Sequence, residues 1–423
     1  MGNETKNPEV PAPEFDIVLW GASGYTGELV AEYLAKRPHG AELRWAIGGR
    51  DQGKLAQVRS KLAALQPRLA ELPILVGDSH DGTWLDELAS RARVICTTVG
   101  PYDRYGSELV AACVRQGTDY CDLAGETHWI RRMIDAHHEA AKASGARIVH
   151  CCGYDSIPSD LGCLMLQEHM QQQHGGRCRE IRFYAGEAKG GPSGGTIASV
   201  LGVFEQMRRS TEVRRILGDP YALNPPGERQ GPDGPDDMAV RFDPVLGTWT
   251  GAFVMAGINT RVVRRTNALL GYPYGRDFRY QERTSYPKGP RGLGMAVGGL
   301  AGLGLFGAGV SVPPVRKLLQ RFVLPKPGEG PSREQREQGY FRVRLVGKGR
   351  DRDGAERTLR GLVEGTNDPG YGETAKMLAE SAILLAEQRP AEPAGGILTP
   401  AVALGMDLVE RLRAAGMTFA VES

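Results

Sequence analysis

The sequence predicts an α/β fold that begins with a doubly wound parallel sheet, continues into a second α+β domain and ends in helices. The first observation is an alternation of short apolar runs with amphipathic helical segments from residue 15 to residue 151, the pattern of parallel strands joined by crossover helices. The second is a change to longer helices and strand-like runs after Ser156. The third is a pair of helical patterns near the end of the chain. The predicted domains are therefore 14–155, 156–370 and 371–423.

Six short runs are the predicted strands of the first sheet, at residues 15–20, 43–50, 74–76, 93–100, 119–122 and 147–151. A helix is predicted to begin near Tyr25, after the first of these strands. Other helical patterns between the strands lie at residues 51–65, 83–91, 105–116 and 127–144. Parallel strands need long connections, and helices of this length supply them.

The second domain is predicted to mix helices with strands, and a loop rich in proline, glycine and aspartate occupies residues 218–237. Its helical patterns lie at residues 159–172 and 194–209, and its strand-like runs lie at residues 180–185, 279–284, 340–346 and 358–364. The two closing helices are predicted at residues 372–387 and 400–414.

The turn after the first strand has glycines at Gly21, Gly24 and Gly27, in the spacing G-x-x-G-x-x-G. Glycine permits a tight turn close to a diphosphate, and the first turn of the following helix offers free N–H groups to an anion. The pattern is a variant of the Rossmann-type dinucleotide-binding fingerprint. Glycine is frequent in this chain, with 57 of 423 residues, so a purely structural turn is the alternative. The predicted diphosphate-binding residues are Gly21, Ser23, Gly24, Tyr25, Thr26 and Gly27.

Arg50 stands at the end of the second predicted strand, directly after Gly48 and Gly49. In a dinucleotide-binding fold this position contacts the 2′ group of the ribose. An acidic residue there binds a free hydroxyl, whereas a guanidinium binds a 2′-phosphate through charge-assisted hydrogen bonds. The sequence therefore favours NADPH over NADH. The alternative is that Arg50 only solvates the strand end and that Asp51 contacts the ribose.

Other strands of the first sheet also end in residues suited to cofactor contact. These residues are Asp78, Thr98, Gly100 and Pro101. The carboxyl ends of parallel strands share one edge of the sheet, which is where such folds bind their ligands. We expect the turn after the fourth strand to face the nicotinamide end of the cofactor.

Three side chains at the same edge are candidate catalytic groups. Tyr102 can hydrogen-bond a substrate carbonyl, although a tyrosine after Gly-Pro is equally often a packing residue. Tyr154 and Asp155 follow the sixth strand, where either can position the substrate or relay a proton. The alternative for these two is a turn that only fixes and caps the next helix.

Composition excludes several functional classes. The chain has 52 basic and 50 acidic residues, a net charge of +2, and no long basic run, which argues against a nucleic-acid partner. Seven cysteines without C-x-x-C spacing indicate reduced thiols and a cytoplasmic protein. Residues 1–14 have no apolar core of a signal peptide. The eight histidines form no H-E-x-x-H motif and no cluster with cysteine, so no metal site is expected.

Residues 292–312 form an apolar, glycine-rich segment without a charge, between Arg291 and the pair Arg316-Lys317. A bilayer span takes about 20 apolar residues, so the length suffices. The many glycines lower its hydrophobicity and equally suit a buried helix or an apolar surface for a lipid-like partner. We expect a buried or membrane-touching segment rather than a true span, with contact at the inner face of the cell membrane.

Taken in order, these motifs resemble those of the saccharopine dehydrogenase-like oxidoreductases. The resemblance rests on residues 15–27, 48–50, 97–102, 104–106, 117–126, 152–160 and 396–400. Within that family the chain is similar to the actinobacterial trans-acting enoyl reductases, and the similarity covers nearly the whole chain from Phe15. The resemblance assigns the diphosphate to Gly21, Gly24 and Gly27 and the 2′-phosphate to Arg50, and it assigns no catalytic residue.

The resemblance implies an NADPH-dependent enoyl reductase that serves a polyketide synthase without its own reductase domain. The substrate would be a lipid-like enoyl thioester on an acyl carrier domain, in the synthesis of cell-envelope lipids such as phthiocerol and phenolphthiocerol dimycocerosates. We also consider a homodimer. The alternatives are a related reductase of another substrate, or a membrane-associated NADP-binding scaffold without turnover. No cluster of arginines that would bind the carboxylates of saccharopine is evident in the sequence, which argues against a lysine-pathway role.

Overall fold

The computed structural model describes residues 12–37, 43–190, 194–312, 314–315, 330–388 and 395–422. Residues 316–329 and 389–394, which belong to the predicted second and third domains, lie outside the described residues. The described part of the chain contains two sheets of seven strands each.

The first sheet is parallel throughout. Its strands are β1 (Phe15–Trp20), β2 (Trp45–Gly49), β3 (Ile74–Val76), β4 (Ala92–Thr97), β5 (Asp119–Cys121), β6 (Arg147–Val149) and β13 (Gly396–Leu398). The order across the sheet is β13-β6-β5-β4-β1-β2-β3. Chain direction across the sheet therefore reverses between β1 and β4, the switch point at which such sheets bind ligands. The predicted doubly wound sheet is confirmed.

Helices cover both faces of this sheet, as a parallel sheet requires. The helices between its strands are α1 (Tyr25–Lys36), α2 (Gln52–Leu65), α3 (Gly82–Ser90), α4 (Tyr102–Tyr105), α5 (Ser107–Gln116) and α6 (Thr127–Ser144). A further helix, α13 (Thr374–Glu387), comes from the C-terminal part of the chain and packs against α1, β4 and β5. Consecutive residues of β1, Ile17, Val18 and Leu19, are consequently all fully buried.

The second sheet is mostly antiparallel, and only β7 and β10 pair in parallel. Its strands are β7 (Arg177–Lys189), β8 (Arg241–Asp243), β9 (Thr248–Gly251), β10 (Arg279–Ser285), β11 (Tyr340–Arg350), β12 (Glu356–Gly365) and β14 (Thr418–Glu422). The order is β14-β12-β11-β7-β10-β9-β8. The predicted α+β character of this region is confirmed.

The remaining helices of the described ranges all follow β6 along the chain. They are α7 (Ile157–His174), α8 (Gly194–Arg209), α9 (Thr211–Gly218), α10 (Ala256–Leu269), α11 (Gly289–Ser311), α12 (Arg333–Glu337) and α14 (Pro400–Ala414). A 3₁₀ turn at Pro67–Glu71 and a π turn at Pro369–Glu373 complete the regular structure. Helix α7 packs against β7 and β12 on the second sheet and against α14.

The C-terminal segment contributes more than the two predicted helices. Its strand β13 pairs with β6 of the first sheet, and its strand β14 pairs with β12 of the second. The C-terminal segment therefore contributes one strand to each sheet. The limits 14–155, 156–370 and 371–423 remain predictions about folding units.

Helix α11 corrects one expectation for the segment 292–312. Only 11% of the most apolar stretch of this helix is buried, so the expectation of a buried helix is wrong. By length and composition it is the single helix in the described ranges that is suited to cross a membrane. A helix dominated by glycine offers few side chains that could pack against a core, which explains its exposure.

Candidate functional site

The glycines after β1 form the tight turn that the sequence predicts. Gly21 has a φ of +93°, a conformation that favours glycine. Its N–H donates to the carbonyl of Gly48, 2.9 Å away, and the N–H of Gly24 donates to the carbonyl of Gly21 at 3.0 Å. A Cβ on Gly27 would overlap the carbonyl oxygen of Gly21. The turn therefore leaves a narrow backbone cradle at the carboxyl end of β1.

The first turn of α1 points into this cradle. No side chain among the described residues caps the helix at Gly24, so its first N–H groups are suited to an anion. Thr26 lies in this first turn, and Ser23 lies beside the end of β2, with its Oγ 3.6 Å from where a Cβ on Gly49 would be. The residues present fit a bound diphosphate.

Tyr25 has a different role from the other residues of the turn. Its ring packs edge-on against Tyr371, with centroids 4.7 Å apart. Its hydroxyl lies 2.5 Å from both the carbonyl oxygen of Pro331 and Nη1 of Arg336. The side chain thus joins α1 to α12, and only the backbone of Tyr25 is placed for cofactor contact.

Arg50 is exposed at the end of β2, and its guanidinium lies 5.9 Å from the centre of the Tyr105 ring. Asp51, the competing candidate, is the N-cap of α2 and accepts a hydrogen bond from the N–H of Lys54 at 3.0 Å. The geometry therefore favours Arg50 as the residue that contacts a 2′-phosphate.

Two aromatic rings beside Arg50 escaped the sequence analysis. His80 and Tyr105 lie with ring centroids 5.5 Å apart, one after β3 and the other at the end of α4. Asp78 accepts the N–H of His80 at 2.9 Å, so this predicted cofactor residue shapes the turn that presents His80. Because flat rings stack on bases, His80 and Tyr105 are candidates for the adenine side of the site. The one signal in the sequence for this role is that His80 follows β3 and Tyr105 follows β4, which end at the same edge of the sheet.

The turn after β4 lies against the glycine cradle. The hydroxyl of Thr98 donates to the carbonyl of Gly21 at 3.2 Å, and the N–H of Gly100 donates to the carbonyl of Thr98 at 3.1 Å. Pro101 follows Gly100 through a cis peptide bond. Thr98, Gly100 and Pro101 thus line the same edge as the cradle.

Tyr102 is buried, and its hydroxyl is already occupied. It donates to the carbonyl of Thr97 at 3.2 Å and accepts the N–H of Leu123 at 3.1 Å. Burial raises the pKa of this hydroxyl well above its usual value. The structure favours the packing alternative for Tyr102.

Glu126, at the start of α6, connects the β4 turn to helix α8. Its buried carboxylate accepts the N–H groups of Tyr102 and Asp103 at 3.3 and 2.8 Å and the hydroxyl of Ser199 at 2.6 Å. Burial raises the pKa of Glu126. Its contacts place Ser199 of α8 beside the turn after β4.

Asp155 lies in the turn between β6 and α7. Its side chain is partly exposed, yet the surrounding protein desolvates the carboxyl group and raises its pKa to about 6. Within the described ranges no hydrogen bond or ion pair to this carboxyl group is found. Oδ2 lies 4.0 Å from where a Cβ on Gly125 would be, so the carboxyl group faces the turn after β5. An uncommitted acid at this edge is suited to proton transfer.

Tyr154 lies next to Asp155 and contacts the second sheet. Its ring packs edge-on against Phe341, with centroids 4.7 Å apart, and its N–H donates to the hydroxyl of Thr374 at 3.1 Å. Burial and the nearby Asp155 raise the pKa of its hydroxyl. The hydroxyl therefore stays protonated at neutral pH and can donate a hydrogen bond.

A buried polar chain holds the turn that contains Asp155. Ser156 donates to Oδ1 of Asn259 at 3.0 Å, and Nδ2 of Asn259 donates to Glu282 at 2.9 Å. Glu282 also accepts the hydroxyl of Tyr280 at 2.8 Å, and burial raises its pKa to about 7. Asn259 and Glu282 were not predicted as site residues, because nothing in the local pattern of the sequence brings α10 and β10 to this turn.

Other charged groups near the site have structural partners. Arg264 on α10 binds Asp233 at 2.8 Å, Arg261 binds Asp236, and Arg265 binds backbone carbonyls. These buried arginines are a cluster that the sequence did not reveal, and their partners lie within the fold. Among the described residues no group of three or more metal-ligating side chains is found.

Comparison with known proteins identifies the cofactor. Residues 17–149 match the model of the saccharopine dehydrogenase NADP binding domain. The match runs from β1 to β6 and includes the glycine cradle and Arg50. The cofactor of this domain is therefore NADP(H).

Relatives with similar sequences match almost the whole chain, and two of them serve as examples. A putative trans-acting enoyl reductase of Mycobacterium tuberculosis is 43% identical over 416 residues, covering 96% of this chain and 97% of the relative. A trans-acting enoyl reductase of Mycobacterium leprae is 38% identical over 423 residues, with the same coverage of 96% and 97%. Saccharopine dehydrogenase (L-Glu forming) of Saccharomyces cerevisiae has a similar fold, with a TM-score of 0.56 at 12% identity over 96% of this chain and 99% of that one.

Proposed function

The chain belongs to the trans-acting enoyl reductases of the saccharopine dehydrogenase-like family, and on that premise we propose that it reduces an enoyl thioester for a polyketide synthase. It is an NADP-dependent oxidoreductase. NADPH, when bound in the cradle of Gly21, Gly24 and Gly27, supplies a hydride. The proposed product enters the synthesis of cell-envelope lipids.

The observation that supports this reaction is the position of Asp155, together with its raised pKa and its lack of hydrogen-bond partners in the described part of the chain. Its carboxyl group lies at the same sheet edge as the cradle, has a pKa of about 6 and lacks a partner in the described part of the chain. A carboxyl group held only to stabilise the fold would be expected to have partners. The geometry therefore favours a group kept for the substrate.

Reduction of an enoyl thioester adds a hydride to the β-carbon and a proton to the α-carbon. Negative charge collects on the thioester oxygen between the two events, so a hydrogen-bond donor there lowers the barrier. We assign that donor to the Tyr154 hydroxyl and the α-carbon proton to the Asp155 carboxyl group. A general acid is most effective when its pKa is near the working pH, and the pKa of about 6 of Asp155 meets that condition. Tyr102 is left out of these roles because its hydroxyl is bonded to Thr97 and Leu123.

We further propose that the acyl group arrives on a carrier domain of a synthase that lacks its own reductase domain. The support is the name of the relatives, trans-acting enoyl reductases. We place the protein in the cytoplasm. Contact with the membrane and assembly as a homodimer both depend on what covers helix α11.

Turnover by the purified full-length protein tests the proposal. NADPH absorbance is followed with an enoyl thioester on an acyl carrier domain, and the matched saturated thioester is the control. We expect NADPH to be oxidised with the enoyl thioester and not with the saturated thioester. Deuterium from labelled NADPH should be transferred to the β-carbon. Tight NADPH binding without turnover across a broad panel would favour the scaffold alternative. Turnover confined to substrates without an enoyl group would favour a reductase of another kind.

A further inference from the structure

We propose that helix α11 docks the protein on an anionic lipid surface and lies in the plane of the membrane without crossing it. The proposal rests on four features of this part of the molecule: the exposed side of the helix, its packed side, the topology of its ends and the charges beside it.

The exposed side of α11 is apolar. Leu293, Met295, Val297, Leu300 and Leu305 are all exposed, and Leu305 has 74% of its surface exposed. Contiguous apolar surface on a water-soluble protein marks a place where something else binds. A lipid surface would remove these side chains from water along the length of the helix.

The opposite side of α11 lies against the protein over most of the helix. Ala296 is almost fully buried, and a Cβ on Gly299 would lie 2.8 Å from the hydroxyl of Tyr286. Further along, a Cβ on Gly307 would lie 3.8 Å from the ring of Phe204 on α8. The helix is thus laid along the surface of the second domain, and it does not project from it.

Topology argues against a span. The strands before and after α11 are β10 and β11, and both pair with β7 in one sheet. A crossing helix would separate its ends by a hydrocarbon core of about 30 Å. The chain would then have to return through that core with Arg316, Lys317, Arg321 and Lys326, which is energetically unfavourable. A helix in the plane of the surface keeps both ends on one side.

The charges that precede and follow α11 in the sequence favour anionic lipid. Between Glu282 and Glu329 the sequence has no acidic residue. The basic residues that flank the apolar stretch are Lys288, Arg291, Arg316, Lys317, Arg321 and Lys326. Basic residues beside an apolar surface are attracted to the negative potential of an anionic leaflet.

The same charges oppose a second copy of the chain as the occupant. Gly294, Gly298 and Gly302 have open space at their Cβ positions, and such a stripe also suits close helix packing. In a two-fold dimer, however, each helix would meet the same surface of its partner. Basic residues precede and follow the helix in the sequence, and residues 283–328 supply no carboxylate that could pair with those of a second copy. Lipid headgroups supply the missing negative charge.

Aromatic side chains next to α11 are consistent with a membrane interface. Phe242 on β8 is 51% exposed and packs edge-on against Trp249 on β9, with ring centroids 5.6 Å apart. Strand β9 packs against α11. Aromatic rings are enriched at the level of lipid headgroups.

The docking surface lies one helix away from the candidate site. Phe204 of α8 approaches α11, and Ser199 of the same helix donates to Glu126 at the β4 turn. If the proposed function holds, docking would bring the site close to lipid-like acyl chains. The lipid contact itself does not depend on that activity.

Flotation of the full-length protein with lipid vesicles tests the proposal without cofactor or substrate. The vesicles contain phosphatidylcholine alone or phosphatidylcholine with phosphatidylglycerol. Variant Leu300→Glu/Leu305→Glu changes the exposed face, and Leu65→Glu is the matched control because Leu65 on α2 is also exposed. Circular dichroism and NADPH binding verify that each variant is folded.

We expect the wild type and the Leu65 variant to float with the anionic vesicles, and bound protein to be released by alkaline carbonate, as a surface helix would be. The double variant should show a partition coefficient lower by about tenfold or more. Lys288→Ala/Arg291→Ala should bind less at low salt and differ little from wild type at high salt. Absence of flotation by the wild type, equal flotation by the double variant, or retention after carbonate treatment would overturn the proposal. So would a dimer that dissociates in the double variant without any lipid binding. Loss of reductase activity with intact flotation would count against the proposed function alone.

Discussion

The two halves of the candidate cleft are built in different ways. The cofactor half consists of turns that directly follow β1, β2 and β4, and its shape depends mainly on backbone and glycine. The proposed catalytic half consists of the Gly153–Ser156 turn, which hydrogen bonds through Asn259 and Glu282 connect to the second sheet. The difference indicates that a cofactor site can be local in sequence, whereas the proposed proton transfer would depend on side chains that only the fold brings together.

The largest expected effect is on the catalytic half. Asp155→Asn removes the proposed proton donor and should lower kcat by about 10²–10⁴-fold. NADPH binding should stay unchanged, because the substitution leaves the glycine cradle intact. Steady-state kinetics and NADPH fluorescence titration measure the two quantities. An unchanged kcat would remove Asp155 from the mechanism and leave this half of the cleft without an acid.

A backbone substitution should damage the cofactor half next most strongly. Gly27→Ala places a Cβ onto the carbonyl oxygen of Gly21 and should weaken NADPH binding about a hundredfold, equivalent to about 2.7 kcal/mol. Gly257→Ala on α10 is the matched control, because Gly257 is exposed and a Cβ there meets no other atom within 4 Å. An NADPH affinity of Gly27→Ala equal to that of the control would show that the cradle does not hold the diphosphate. Isothermal titration gives both values.

Arg50 separates the two nicotinamide cofactors within the same half. Arg50→Ala should weaken NADPH binding by about 1.5–3 kcal/mol, the range of charged hydrogen bonds, and should leave NADH binding nearly unchanged. Arg59→Ala on α2 is a control for the loss of a nearby positive charge. Dissociation constants for both cofactors decide the question. Equal weakening of NADPH and NADH would refute the 2′-phosphate assignment.

Removing the hydrogen bonds of Asn259 tests whether the second sheet holds the Gly153–Ser156 turn in place. Asn259→Ala leaves Ser156 and Glu282 without their shared partner and should lower the free energy of unfolding by about 1–3 kcal/mol. It should also lower kcat several-fold without a change in NADPH affinity. Chemical denaturation and kinetics measure these effects. Loss of stability with an unchanged kcat would show that the hydrogen bonds of Asn259 only stabilise the fold.

The smallest effect concerns pH. Burial raises the pKa of Glu282 from 4.5 to about 7, so this group stabilises the fold fully below pH 4.5. Its contribution is then lost as the pH rises through about 7. We expect the fall in unfolding free energy over this range to be smaller in Glu282→Gln than in the wild type. Denaturant titrations at several pH values measure the slope. A steeper fall in the variant would contradict the assignment.

Local patterns predicted much of the first sheet because each of its signals lies within a few residues. The apolar run 15–20 and the helix 127–144 were placed correctly. Helix α10 was missed because it is polar and yet buried, and Arg261 and Arg264 on it form ion pairs with residues distant in sequence. Strands β13 and β14 were missed because such short runs become strands only when they pair with β6 and β12.

The sequence by itself determined the glycine cradle, the position of Arg50 and the apolar character of the segment 292–312, because each is a property of neighbouring residues. Tertiary structure decided that Asp51 caps a helix, that Tyr102 is packed and that α11 is exposed. It also placed Asp155 in surroundings that raise its pKa to about 6. Burial and hydrogen bonding depend on residues far apart in the chain, so only the folded molecule could settle them.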